Sequence, residues 1–78
     1  MDEQMPIAYR IALLGSPLTV VRAERLLKEQ GLAVKAIPVP RHIASDCGIC
    51  LRFSVEGEAQ VTRALGQSGI AIVGIRSL

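Results

Sequence analysis

Apolar residues recur along the chain with two different spacings, and each spacing predicts its own kind of element. The run from Ile7 to Leu14 is apolar apart from Arg10 and is short, which predicts a buried strand closed by Gly15-Ser16-Pro17. Ser16 is placed to cap a helix that has Pro17 at its first position, where a missing N–H costs nothing because that donor has no partner within the helix. Val20, Ala23 and Leu27 then fall at i, i+3 and i+7 and form the buried stripe, while Arg22, Arg25, Lys28 and Glu29 face water. This helix runs to about Gln30, and Gly31 supplies the left-handed residue that stops it.

Val34 to Ile37 predicts a short second strand, confined to a sheet edge because Pro38 and Pro40 cannot donate to a ladder. From Cys50 to Val55 the side chains alternate, with Leu51, Phe53 and Val55 toward the core and Cys50, Arg52 and Ser54 on the opposite face. Gly57 marks a turn, Val61, Ala64 and Leu65 give a short second helix that fades at Gly66, and Gly69 precedes a last strand over Ile70 to Ile75. The order is strand, helix, strand, strand, helix, strand, and both helices need the same sheet face. That combination predicts a ferredoxin-like α+β (α/β) sandwich, a four-stranded antiparallel sheet with two helices on one face and the other face open. One domain over 7–78 follows a polar leader, 1–6.

Composition adjusts this picture in two respects. With 78 residues and only Tyr9 and Phe53 aromatic, the core is thin and aliphatic, which favours a covering partner or a second copy of the chain and makes a homodimer a candidate. Nine basic against seven acidic residues give a net charge of +2 with both signs scattered. A nucleic-acid binder would gather its cations in a stripe and add aromatic platforms, so nucleic acid is not an expected partner. The start, Met1-Asp2-Glu3-Gln4, has neither a basic n-region nor an apolar h-region, and no apolar run is long enough to span a bilayer. A cytoplasmic protein is expected, with cysteines that stay reduced.

One connection is out of proportion. Hairpin links are roughly two to five residues, yet the second and third strands are joined by Pro38-Val39-Pro40-Arg41-His42-Ile43-Ala44-Ser45-Asp46-Cys47-Gly48-Ile49. The only histidine and both cysteines lie in this link or at its end. A cysteine reacts as its thiolate, which nearby cations, hydrogen-bond donors and exposure favour. Arg41 and His42 offer charge and donors to Cys47, Gly48 lets the backbone approach closely, and Asp46 orients His42 or ties the loop through a side-chain turn. Cys47 as a small buried hydrophobe is the bland alternative.

Cys47-Gly48-Ile49-Cys50 is a C-x-x-C, but it precedes a strand, whereas a thioredoxin-type pair opens a helix. Cys50 is either a resolving thiol for Cys47 or a plain strand residue on the open face. Arg52, on the same face, borders the region. Cys47, Cys50 and His42 provide three zinc ligands and Asp46 a poor fourth, so a metal site is the lesser alternative. No resident metal or other cofactor is assigned.

The stretch Ile37-Pro38-Val39-Pro40-Arg41-His42-Ile43-Ala44-Ser45-Asp46-Cys47-Gly48-Ile49, preceded by the helix ending Glu24-Arg25-Leu26-Leu27-Lys28, resembles the selenium or sulfur carrier protein-like family over almost the whole chain. The Pro-x-Pro-Arg and Ser-Asp-Cys-Gly combination carries the resemblance. It departs at His42, where the family commonly has Glu, and at Cys50, which is not a general feature, so Cys47 is the position carried over. The resemblance implies a carrier whose Cys47 holds a persulfide or perselenide, with Arg41, His42, Asp46, Gly48 and Cys50 in support and a sulfur- or selenium-donating or accepting protein as partner. It implies an accessory protein rather than a stand-alone enzyme. The alternative is a non-catalytic ferredoxin-like module that binds a protein or a small ligand.

Overall fold

A computed structural model describes residues 8–43 and 48–78 of the chain. The predicted leader, 1–6, and two predicted site residues, Asp46 and Cys47, lie outside the described residues.

The elements follow in the expected order: β1 (Tyr9–Leu13), α1 (Pro17–Glu29), β2 (Val34–Pro38), β3 (Ile49–Ser54), a 3-10 turn (Val55–Gly57), α2 (Glu58–Gln67) and β4 (Gly74–Ser77). The strands form one antiparallel sheet in the order β2-β3-β1-β4, the ferredoxin-like α+β arrangement. Ala12 of β1 lies between Leu51 of β3 and Ile75 of β4, and Leu51 in turn faces Ala36 of β2. The sheet thereby places small and branched side chains in one layer beneath the helices.

That layer is the main core. Val20, Ala23 and Leu27 of α1 and Val61, Ala64 and Leu65 of α2 pack with Ala12, Leu14, Val34, Leu51 and Phe53 of the strands and their flanks. Phe53 is the largest fully buried side chain, so the aliphatic core expected from composition is built around one ring. Arg10 shares this face opposite Phe53, and its guanidinium reaches Glu58 in the first turn of α2 at 3.1 Å.

The start of α1 and the ends of both helices have visible causes. Ser16 adopts extended backbone and its hydroxyl accepts a bond from the Thr19 amide at 3.2 Å, with Pro17 entering the first turn. Past the end of α1, Gly31 takes a φ of +83° while its N–H reaches the Lys28 carbonyl and that of Leu32 reaches the Leu27 carbonyl. This paired closure satisfies two carbonyls that would otherwise be orphaned. The same pattern ends α2, where Ile70 donates to the Leu65 carbonyl at 2.9 Å and Gly69 to that of Gly66.

Three sequence expectations are corrected. Val55 is exposed rather than buried, because the chain leaves β3 after Ser54 and turns before the alternation reaches it. The second helix passes through Gly66 to Gln67 and is stopped by the Gly69 closure. The last strand is Gly74–Ser77 and not Ile70 to Ile75: Ile70 and Ile72 are apolar because they pack against the core from the connection, and pairing begins where the Val73 N–H meets the Leu13 carbonyl.

Candidate functional site

The link between β2 and β3 covers one end of the sheet face that the helices leave uncovered. Its base is an extra rung beyond β2, where the Val39 N–H donates to the Gly48 carbonyl at 3.0 Å. The backbone donors of β2 alternate in direction: Ala36 and Pro38 point off the sheet edge, while Val39 points inward to β3. Pro38 therefore ends the strand without removing a ladder bond, since its N–H would have faced outward. The chain then makes a tight turn, with the Ile43 N–H bonded to the Pro40 carbonyl at 3.0 Å.

This turn sorts the side chains. Arg41 and His42 occupy its central positions and are exposed, whereas Ile43 comes back half-buried onto the sheet. Val39, Ile43 and Ile37 pack over a second, smaller cluster made of Ile11, Leu13 and Cys50. The sheet face expected to be open is thus closed at this end, a cover that the alternation in β3 alone does not reveal. Gly48 re-enters β3 with a φ of +84°, exposed and with open space where a Cβ would be. Only glycine adopts that conformation cheaply, so its presence after Cys47 has a backbone reason.

The structure places the described site residues as follows. Arg41 and His42 sit at the tip of the turn, Gly48 at the start of β3, and Cys50 on the face away from the helices, fully buried beneath the loop. Arg52 shares the face of Cys50 but is directed elsewhere, with its guanidinium carbon 4.4 Å from the centroid of the Tyr9 ring. It is not brought to the turn. Val39 and Ile43, which hold the loop down, were missed by sequence reasoning; the signal was their apolar character on either side of the Pro40-Arg41-His42 tip. Among the described residues no three of His, Cys, Asp and Glu lie close enough together to hold a metal ion. No helix among them is long and apolar enough to cross a membrane.

The model of the family described as "Putative Se/S carrier protein-like" matches residues 9–77, which takes in the whole sheet, both helices and the loop. The chain belongs to this family. No curated protein and no solved structure matches it. The resemblance stated from Ile37–Ile49 and the preceding helix, over almost the whole chain, is thereby borne out. Membership associates the chain with a family named for carrying selenium or sulfur, a name that suggests protein partners.

Proposed function

We propose that the chain is a sulfur or selenium carrier in which Cys47 is the residue loaded. The observation that carries this reading is membership of the carrier-like family over residues 9–77, combined with a loop that the fold holds at both ends. Cys47 immediately precedes Gly48 in the chain, and the turn tip preceding it carries the exposed side chains of Arg41 and His42. Cys50 is the wrong residue for the task, since a fully buried sulfur cannot meet the cysteine of another protein.

Loading needs no external oxidant. The Cys47 thiolate attacks the outer sulfur of a donor persulfide, R–S–SH, the donor S–S bond breaks, and R–S⁻ departs with the electron pair and takes a proton. The product is Cys47–S–SH, and a perselenide follows the same bookkeeping with Se in the outer position. An acceptor thiolate then takes the outer atom and releases the Cys47 thiolate. Arg41, His42 and the loop amides would stabilise the anion, and Asp46 would orient the loop. In this reading the chain is an accessory protein that works in the cytoplasm beside a donor and an acceptor protein, as residues 7–78 of a single domain.

The test is anaerobic incubation with a cysteine desulfurase and cysteine, followed by intact-mass analysis. A thiol-labile increment of one sulfur atom, absent in Cys47→Ser and retained in Cys50→Ser, is the expected result. Absence of any increment, or its persistence in Cys47→Ser, overturns the proposal.

A further inference from the structure

Away from the loop, the face opposite the helices carries a pair of cations where the sheet would be expected to avoid one. Lys35 of β2 and Arg52 of β3 are direct cross-strand partners. Because Val39 donates inward to β3 while Ala36 donates off the edge, Lys35 has the same inward phase as Val39 and pairs with Arg52 through ladder bonds. Two like charges opposite each other on one face repel, and such pairs are destabilising unless something neutralises them. Among the described residues Glu24 attracts Lys35 at longer range, but no carboxylate forms an ion pair with Lys35 or Arg52. Glu24 pairs with Lys28, Glu29 with Arg25 and Glu58 with Arg10, while Glu56 makes no ion pair with either cation.

Arg52 is held in place by the ring of Tyr9 rather than by an acid. Tyr9 sits opposite Ser54 on β1, one step diagonally from Arg52, so ring and guanidinium meet across the strand pair. A cation on the face of an aromatic ring keeps its N–H groups available at the edges of the guanidinium. These residues wall a cleft of about 420 Å³ whose polar lining, Tyr9, Lys35, Arg52, Ser54 and Glu56, is completed by the apolar Ala33, Val34 and Phe53. That volume falls in the range that accommodates small molecules.

We propose that this cleft is a binding site for a small molecule bearing an oxyanion, a carboxylate or a phosphate. The Arg52 fork takes two of its oxygens and the Lys35 ammonium supplies a second positive charge. A bound anion offsets the Lys35–Arg52 repulsion that the attraction of Glu24 for Lys35 leaves in place. Glu56 at the same cleft limits the ligand's total negative charge, so a compact anion is favoured over a polyanion. The site is separate from Cys47 and does not rest on the carrier reading.

The chain contains one tyrosine and no tryptophan, so its intrinsic emission arises at this cleft. Titration of the full chain with inorganic phosphate and, in a second arm, acetate, at ionic strength fixed with chloride, should give a saturable change in tyrosine emission. The expected dissociation constant is about 1–10 mM for these minimal probes, the range of one or two charge-assisted contacts. Lys35→Gln, which leaves the Tyr9–Arg52 contact in place, should weaken binding about tenfold, a loss of one charge-assisted contact. Glu56→Gln should tighten it, and Arg63→Gln, exposed on α2, should leave it unchanged. Backbone amide shifts of residues 33–35 and 52–54 on adding phosphate provide a readout that does not depend on the fluorophore. A response in only one arm identifies the oxyanion class and supports the site. A linear response in both arms, or a curve in Lys35→Gln identical to the parent's, overturns it.

Discussion

The carboxylate of Glu24, on α1, accepts a hydrogen bond from the backbone N–H of Ala36 at 2.9 Å, tying the helix to the outer edge of β2. Among the described residues β2 pairs only with β3, so its outward N–H groups are a template for unwanted strand pairing. Glu24 takes the Ala36 donor and Pro38 has none to offer, which leaves this edge poor in available donors.

The same bond makes stability depend on pH in a defined direction. The Ala36 amide, and then the Lys28 ammonium at 3.2 Å, favour the ionised carboxylate against its partial desolvation, holding Glu24 below its ordinary pKa of 4.5. A depressed folded-state pKa contributes stability that is complete above the unfolded value and is lost as the pH falls through the folded one. Urea unfolding of the parent should therefore weaken below about pH 4.5, and Glu24→Gln should flatten that decline. At pH 7, Glu24→Ala should cost about 1–2 kcal/mol, the size of a charge-assisted bond to a half-buried donor. Equal acid sensitivity in parent and Glu24→Gln would assign the decline to other groups.

Ile43 and Cys50 make a second relationship that can be broken deliberately. Ile43 is the side chain through which the turn reaches the small cluster over Cys50. Ile43→Ala should destabilise by about 1–2 kcal/mol, less than a fully buried isoleucine because the site is half exposed. Its more specific effect is on access. In a Cys47→Ser background, where Cys50 is the remaining thiol, alkylation of the native protein should be slow and should accelerate on unfolding; adding Ile43→Ala should speed the native reaction. Fast labelling of Cys50 before the cover is removed would contradict the burial on which its exclusion as the loaded cysteine rests.

Arg10 is the one charge inside the first apolar run, and its meeting with Glu58 explains how it is tolerated there. Both side chains are about one-third exposed, and Glu58 also lies at the N-terminal end of α2, where negative charge is favourable. A double-mutant cycle with Arg10→Met and Glu58→Gln should give a coupling of about 0.2–1 kcal/mol that diminishes in high salt. A coupling above about 2 kcal/mol would mean the pair is far less hydrated than its exposure indicates.

Much of this architecture is legible without coordinates because its local signals agree. Ser16, Pro17 and Gly31 bound one helix, the Val20-Ala23-Leu27 stripe orients it, and Leu51 and Phe53 fix the inner face of β3. Agreement fails where apolar character serves something other than a strand. Ile70 and Ile72 look like strand residues, yet they fill the core from a connection. Val55 continues an alternation that the backbone has already abandoned. At the candidate site, the length and composition of the loop are visible in sequence, but the descent of Ile43 onto Ile11, Leu13 and Cys50 is tertiary. The cleft of Tyr9, Lys35 and Arg52 is hidden for a similar reason: it depends on the register of three strands, which no single segment encodes.

Gly48 and Gly66 separate backbone requirement from mere smallness. Neither would clash with an added Cβ, since open space surrounds both positions. They differ in conformation. Gly48 has a φ of +84° where the loop rejoins β3, a region that L-residues enter at a cost of about 1–2 kcal/mol. Gly66 lies within α2, where alanine has the better helix propensity by about 0.8–1 kcal/mol. Gly48→Ala should therefore destabilise by about 1–2 kcal/mol and Gly66→Ala should stabilise by somewhat under 1 kcal/mol, as read by chemical denaturation. Because Gly48 also accepts the Val39 bond that closes the base of the loop, its substitution should raise amide exchange at Val39 beyond what global destabilisation explains. Equal effects of the two substitutions, or unchanged exchange at Val39, would show that the loop does not depend on the left-handed residue after Cys47.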